Sequence, residues 1–334
     1  MISVIVVTYN QGATIGRALD SILAQQTAEP VEILLADDCS RDNTEAVCRD
    51  YARRYPDKII YLRREKNMGV TANYFDCVRR ARGEWIADCA GDDFWIDNTK
   101  LQRQIEAVQA NPRLSLVATD WQPCDPSGSN RGKPFGNPEG KYKSAITASD
   151  DKGRLYKRGS LTQGILSGKV RLHLCTALYS RKRVVDLLDR TGDTLLSREM
   201  TNEDQPILMS CSEGGEILWL PQCTLCYTIG TDSVSHRKDF AANGLYYLRT
   251  LREQLLLQNL FEVPHSPDLT TDIANRLNLI TSMALRSDNA ELREDLFHLL
   301  QCYNLPISRK CRIKLKILAH PLLRYLTYLF FRLR

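Results

Sequence analysis

The order of apolar and polar positions changes character twice along the chain. Ser3–Thr8 (SVIVVT) is a short, β-branched and almost wholly apolar run, the pattern of a strand buried on both faces. After it, Ile15, Ala18, Leu19, Ile22 and Leu23 recur at helical spacing within Ala13–Gln26. The same alternation repeats: Val31–Ala36 strand and Asp42–Arg54 helix, Ile59–Arg63 strand and a helix around Ala72–Ala81, then the strand Gly83–Asp88. Four strand–helix alternations predict an α/β domain, with an open, mostly parallel sheet and helices on both faces. Lys100–Asn111 reads as a helix stopped by Pro112, and Leu114–Trp121 as a further strand.

From Pro123 to about Arg158 the periodicity fades into Gly, Pro, Ser, Asn and Lys, and a long mobile loop suited to an acceptor is expected. Order returns at Gly164–Val170, with a strand at Leu174–Ser180, a helix from Arg181, a helix opened by Glu203-Asp204 and a last strand at Glu216–Leu220. Beyond Ser235 the spacing is helical, at Phe240–Phe261, Thr270–Leu285 and Asn289–Leu300. The expected division is therefore an α/β domain over 1–236, a helical appendage over 237–308 and a tail over 309–334.

Composition narrows the class. Of 334 residues 43% are hydrophobic and 25% charged, which is globular rather than disordered composition. Eleven scattered cysteines, and no basic n-region before the apolar run Ile2–Val7, argue against a disulfide framework and for a reducing, cytoplasmic setting. The net charge of +5 is concentrated: Arg309–Arg334 holds eight cations and no acid, so the rest is slightly acidic. No basic patch continues into the body, so nucleic acid is not an expected partner.

In open α/β sheets, ligands sit outside the carboxyl ends of the strands. Four polar clusters fall there: Thr8-Tyr9-Asn10, Asp37-Asp38, Asn67–Gly69 and Asp92-Asp93. Asp92-Asp93 after a glycine either turns the chain or holds a divalent cation together with phosphate oxygens. Asp37-Asp38 either caps a helix or bonds a base or ribose. Glu203-Asp204 at a helix start is either a cap favoured by the dipole or a general base.

With these clusters in place, the chain resembles the family 2 inverting glycosyltransferases of GT-A fold. The resemblance rests on SVIVVTYNQGATIGRALDSILAQQ, VEILLADDCSRDNT, NMGVTANYF, ARGEWIADCAGDDFW and TNEDQPI, in the family's order. It implies that Thr8, Tyr9 and Asn10 line the nucleotide pocket and that Asp38 meets the base, usually uracil. Asn67 and Gly69 would lie beside the ribose and diphosphate. Asp92 and Asp93 would serve Mn²⁺ or Mg²⁺ and the sugar diphosphate, with Asp204 as catalytic base and Glu203 beside it. Trp95 falls where the family often has an aromatic, either at the sugar or in the core. The implied reaction moves a sugar from a nucleotide-diphosphate donor, a UDP-sugar, to a hydroxyl of a glycan or lipid-linked glycan in bacterial cell-surface polysaccharide synthesis. The competing reading is a non-catalytic nucleotide-sugar-binding assembly subunit.

Two departures matter. Ala90 stands where a further carboxylate is frequent, and Tyr227–Ser235 keeps a tyrosine and serines but loses an arginine and a histidine. His236 or Arg237 would have to take over the diphosphate. Cys223-x-x-Cys226 has no partner pair and reads as two ordinary thiols. The tail, RKCRIKLKILAHPLLRYLTYLFFRLR, has no charge-free run long enough to span a bilayer. It suits an anionic membrane interface on the inner face of the cell membrane, or packing on the body with its cations in solvent. The region 240–308 serves either a homodimer or a cap.

Overall fold

The computed structural model describes residues 1–129, 131–136, 138–140, 142–150, 153–196, 200–230 and 239–332. They divide into two compact units, Met1–Arg198 with Asn202–Gly230, and Glu199–Thr201 with Thr231–Arg334.

The first unit opens with β1 (Ile2–Thr8), α1 (Ile15–Leu23), β2 (Val31–Asp37), α2 (Thr44–Arg54), β3 (Ile59–Arg63), α3 (Val70–Arg80) and β4 (Trp85–Asp88). β3, β2, β1 and β4 lie side by side and parallel. β1 is apolar throughout because both its faces are covered; Ile2, Val4 and Val6 join Ile15, Ala18, Leu19 and Ile22 of α1 in one core.

Beyond β4 the sheet becomes mixed. β5 (Phe94–Trp95), α4 (Lys100–Ala110) and β6 (Leu114–Cys124) come first, then β7 (Ile146–Asp150), β8 (Gly153–Tyr156) and α5 (Thr162–Leu166). β9 (Leu178–Ser180), α6 (Arg181–Thr191), α7 (Asp204–Gly214) and β10 (Glu216–Thr228) complete it. The ten-stranded order is β3-β2-β1-β4-β9-β6-β10-β8-β7, with β5 added on β10. β9 runs antiparallel between β4 and β6, whereas β10 is parallel to β6.

Two expectations change here. The segment from Pro123 to about Arg158 is not one long loop: β7 and β8 pair antiparallel within it, and β8 pairs with Ile217–Trp219 of β10. Its apolar positions are few, so the composition of its connections hides a hairpin held by sheet hydrogen bonds. The last strand extends to Thr228, well past Leu220.

The sheet's middle buries ionisable groups. Lys100 is fully buried; its ammonium lies 4.2 Å from the Trp95 ring centroid and donates to Gln104 Oε1 at 3.0 Å. Burial pushes the Lys100 ammonium down to about 8. Asp88, at the end of β4, accepts the Tyr74 hydroxyl at 2.5 Å and the Tyr179 hydroxyl at 3.2 Å, and the two hydroxyls also touch each other.

The second unit is helical: α8 (Phe240–Leu260), α9 (Pro267–Ser287), α10 (Ala290–Cys302), α11 (Arg309–Ala319) and α12 (Pro321–Arg332). Asp239, Ser266, Asn289 and Ser308 cap the first four through side-chain oxygens. Leu248, Leu251, Leu255, Leu269, Ile273, Leu277 and Leu292 are buried within it. α11 and α12 belong to this unit, and Pro321 opens α12, splitting the tail into two helices.

Burial pushes the Asp88 carboxyl from 3.8 up to about 8, against the two tyrosine hydroxyls that favour its charge. In the unfolded chain it ionises near its ordinary value. Between the two pH values the unfolded chain has therefore lost a proton that the fold keeps, and stability falls as pH rises. Asp88→Asn removes that loss; thermal unfolding should show Tm raised by about 3 °C or more at about pH 7.5, the gain vanishing near pH 4.

Candidate active site

The strand ends hold two groups of side chains. In the first, the Asp38 N–H donates to Thr8 O at 2.9 Å, joining the ends of β1 and β2. The Asp38 carboxylate accepts the N–H groups of Met68 (2.7 Å) and Gly69 (2.9 Å), while Asn67 Nδ2 donates to Asp38 O at 3.2 Å. Asp38, Asn67 and Gly69 thus form a clasp, in which the carboxylate is 4% exposed and holds the loop before α3. Gly69 adopts φ 88° and ψ 156°, a conformation open essentially to glycine. Thr8 Oγ1 turns inward to Gln11 Oε1 (2.8 Å), and Asn10, at φ 54°, accepts the Arg41 N–H at 2.8 Å. Tyr9 is 42% exposed, and with the surrounding backbone offers the open surface of this half. Asp37 is fully buried and internal, accepting Ser40 N–H at 2.9 Å and Tyr61 hydroxyl at 3.1 Å.

The second group surrounds the acidic pair. Gly91 is demanded by close approach: a Cβ there would stand 2.4 Å from Gln11 Oε1 and 2.8 Å from Thr8 Oγ1. Asp93 is 1% exposed and accepts the Thr228 N–H at 2.8 Å; Thr228 Oγ1 donates to Asp92 O at 2.6 Å. Asp92 is the more accessible of the two carboxylates. Burial raises both carboxyls, and for Asp93 the Asp92 charge raises it further. Arg17 of α1 lies beside them, donating to Asp92 O (3.3 Å) and Pro126 O (3.2 Å), its guanidinium carbon 4.3 Å from the Phe94 ring centroid. Its charge opposes the rise at both aspartates.

Asp204 is the first residue of α7, with Glu203 at the N-cap. Burial raises its carboxyl to about 6. Its charge is felt at Asp88, Cys175 and Tyr227, and Asp93 acts on the same Cys175 and Tyr227. The fold therefore brings Asp204 into the electrostatic neighbourhood of the acidic pair.

Trp95 is a core residue. It is 3% exposed, and its indole N–H donates to Cys175 O at 3.0 Å, satisfying the buried donor. His236 and Arg237 lie outside the described residues. Cys223 and Cys226 are free thiols on β10, as are the other nine cysteines elsewhere. Two residues that sequence reasoning passed over border the carboxylates or their buried neighbours, Arg17 and Asp88, while Tyr227, noted there only as a retained tyrosine, lies within reach of the charges of Asp92, Asp93 and Asp204. Arg17 was hidden because one arginine on an amphipathic helix reads as solvated.

Among the described residues, no group of three or more His, Cys, Asp and Glu side chains is arranged to hold a metal. The donor set at Asp92 and Asp93 instead fits a hard cation that takes one or two carboxylates from protein and the rest of its shell from phosphate and water. Two adjacent carboxylates, both raised by burial, are also what a dication would relieve.

Comparison with known proteins bears on the fold. Residues 3–164 match the family Glycosyl transferase family 2. The uncharacterized protein Rv1520 of Mycobacterium tuberculosis is 41% identical over 114 residues, 34% of this chain and 33% of that protein. The match thus spans between a third and just under half of the length of the curated relatives. Staphylococcus aureus TarS 1-349 in complex with UDP-GlcNAc superposes with TM-score 0.58 over 99% of this chain and 89% of that one, at 16% identity. The Pyrobaculum calidifontis mannosyltransferase PcManGT, in complex with GDP-Man and Mn²⁺, gives TM-score 0.54 over 98% and 87%, at 15% identity. The fold is the α/β GT-A architecture, with a helical region after it.

The clasp makes a direct prediction. Gly69→Ala places a Cβ on a glycine-only conformation and should cost about 1–3 kcal/mol in denaturant unfolding. Met68→Ala, whose backbone N–H still reaches Asp38, should cost less.

Proposed function

We propose that the chain is an inverting glycosyltransferase that moves a sugar from a nucleotide-diphosphate donor, a UDP-sugar, to a hydroxyl of a glycan or lipid-linked glycan acceptor in cell-surface polysaccharide synthesis. The observation that carries the reading is Asp204: a carboxyl raised to about 6 at a helix start, whose charge acts on the same Cys175 and Tyr227 as that of Asp93. A carboxylate with that value accepts a proton efficiently near neutral pH. In the proposed step the acceptor oxygen bonds to the anomeric carbon as its proton passes to Asp204. The bond from that carbon to the diphosphate oxygen breaks on the opposite face, so the configuration inverts and nucleoside diphosphate leaves. Thr8, Tyr9, Asn10 and the Asp38–Asn67–Gly69 clasp would border the nucleotide, and Arg17 contributes a fixed positive charge beside Asp92. Mn²⁺ or Mg²⁺, held by Asp92 with Asp93, would supply positive charge to the departing diphosphate.

Asp204→Asn should lower kcat by about 10²–10⁴-fold while nucleotide affinity stays near wild type. In wild type, kcat should fall as pH drops through about 6, where Asp204 takes up its proton. Nucleoside diphosphate release from UDP-, GDP- and dTDP-sugars, measured with and without EDTA and with membrane lipid extract as acceptor source, checks both. Near-normal turnover of Asp204→Asn removes it from the base role, and absence of binding by every nucleotide rejects the transferase reading.

We place the protein peripherally on the inner membrane face through 309–334. Among the described residues no helix is long and apolar enough to cross a membrane. α12 buries no residue, and Leu322 (60%), Leu326 (53%) and Phe330 (51%) lie exposed at four-residue intervals. Arg309, Lys310, Arg312 and Lys316 are exposed on α11. Such a pairing of apolar surface and cations suits anionic lipid, at about 1 kcal/mol per cation near the surface. Cosedimentation should show binding to phosphatidylcholine–phosphatidylglycerol vesicles, weakened by salt and by Leu326→Glu. Equal binding to pure phosphatidylcholine, or none to either, would reject the electrostatic interface.

A further inference from the structure

Beside the acidic pair, the strand edge carries a group of rings. Tyr227 precedes Thr228, whose N–H is held by Asp93 and whose hydroxyl is held by Asp92, so the ring's backbone is fixed to the acidic loop. His173 packs on Tyr227 with centroids 4.7 Å apart, and Trp121 lies 5.6 Å from Tyr227 and 5.7 Å from His173. Phe135 stacks on Trp121 at 5.4 Å with planes 13° apart. That stack is fastened by backbone: Phe135 N–H donates to Trp121 O at 2.9 Å, and Gly136 N–H to the Asp120 carboxylate at 3.0 Å. Tyr227 is 36% exposed, while Trp121, Phe135 and His173 are half-buried.

The imidazole adds polarity. His173 Nδ1 accepts the Cys175 N–H at 3.3 Å, and burial drives its pKa down to about 4. The ring is therefore neutral near pH 7, with its proton on Nε2. Among the described residues nothing accepts from that N–H. Burial raises the Tyr227 hydroxyl to about 12, and the charges of Asp93, Asp92 and Asp204 add to it. Through Thr228 the ring group is thus fastened to the Asp92–Asp93 loop, the proposed diphosphate site, and Tyr227 lies within electrostatic reach of Asp204.

An exposed aromatic ring with fixed backing, an imidazole N–H donor and nearby carboxylates matches what a pyranose presents. Its C–H face packs on a π-system and its hydroxyls take donors and acceptors. Resting on the transferase reading above, we infer that Tyr227, backed by Trp121, Phe135 and His173, seats the sugar of the acceptor whose hydroxyl faces Asp204. The nucleotide half of the site is built elsewhere, at Tyr9 and the Asp38 clasp, so the two ligands are separable by mutation.

Saturation-transfer difference NMR on the full chain tests this, using octyl β-D-glucoside, octyl β-D-galactoside and octyl N-acetyl-β-D-glucosaminide as probes, with UDP or GDP present. In wild type at least one glycoside should show saturation on its ring C–H protons. Tyr227→Leu should weaken that binding about tenfold, while Tyr227→Phe, which keeps the ring, restores it. Nucleotide binding, read by calorimetry on each variant, reports that the fold and the donor half survive. A glycoside signal that persists in a Tyr227→Leu protein still binding nucleotide would overturn the inference, as would nucleotide binding by wild type with no glycoside signal. Wild type that binds neither UDP nor GDP would overturn the transferase reading itself, and this seat with it.

Discussion

One hydrogen bond, from the Thr228 N–H to the Asp93 carboxylate, joins positions 135 residues apart and sets the geometry of the whole strand edge. Asp93 is 1% exposed, so its oxygens must find donors inside the protein, and the end of β10 supplies one. Meeting that demand brings Thr228 Oγ1 onto Asp92 O and allows β5 to pair with Leu225 and Cys226. Arg17 then closes the corner from α1 by donating to Asp92 O. Asp92, Tyr227 and Arg17 therefore occupy their places as consequences of satisfying one buried carboxylate.

The same logic explains the polar side chains in the middle of the sheet. Where β9 enters antiparallel between β4 and β6, backbone carbonyls near the turn at Leu174–Thr176 call for partners outside the strand ladder. Gln104 Nε2 supplies two, to Val117 O (2.7 Å) and Thr176 O (2.8 Å), and its Oε1 receives Lys100. Thr119 and Thr224 share a hydrogen bond of 2.6 Å across the β6–β10 pair. Apolar replacements would strand those carbonyls, at a cost larger than the net value of each bond. Asp88 differs, since among the described residues its carboxyl answers to two tyrosine hydroxyls and to no backbone group. The protein carries there an ionisable group whose burial is only partly offset.

Legibility followed hydrogen-bond range. β1 and β2 were readable because a strand covered on both faces writes itself as a continuous apolar run, and the four polar clusters at the strand ends followed from that. The roles within the clusters were less readable: Asp38 spends its carboxylate on the Met68 and Gly69 N–H groups, a tie across thirty residues that no local pattern records. The β7–β8 hairpin was missed because its stability comes from pairing with Ile217–Trp219. Trp95 and Trp121 make the same point. Trp95 follows the acidic pair in sequence, yet pairing of β5 with β10 turns it inward; Trp121, far from any recognisable motif, reaches the edge.

In the helical unit, an amphipathic segment can have two meanings. A helix that packs on a body turns its apolar stripe inward and its charges to solvent. α12 does the reverse. Arg324 pairs with Asp288 at 2.8 Å, while Leu322, Leu323, Leu326, Phe330 and Phe331 of the same helix stay exposed. On α11, Lys314 is likewise drawn in, donating to Asn278 Oδ1 (2.9 Å) and Ser282 Oγ (2.6 Å) of α9, and Cys311 and Leu318 are buried beside it. Those contacts fasten the tail to α9 with a small share of its side chains. The remaining cations and the apolar face are left pointing outward together, an arrangement that water alone disfavours and that an anionic, partly apolar surface would accommodate.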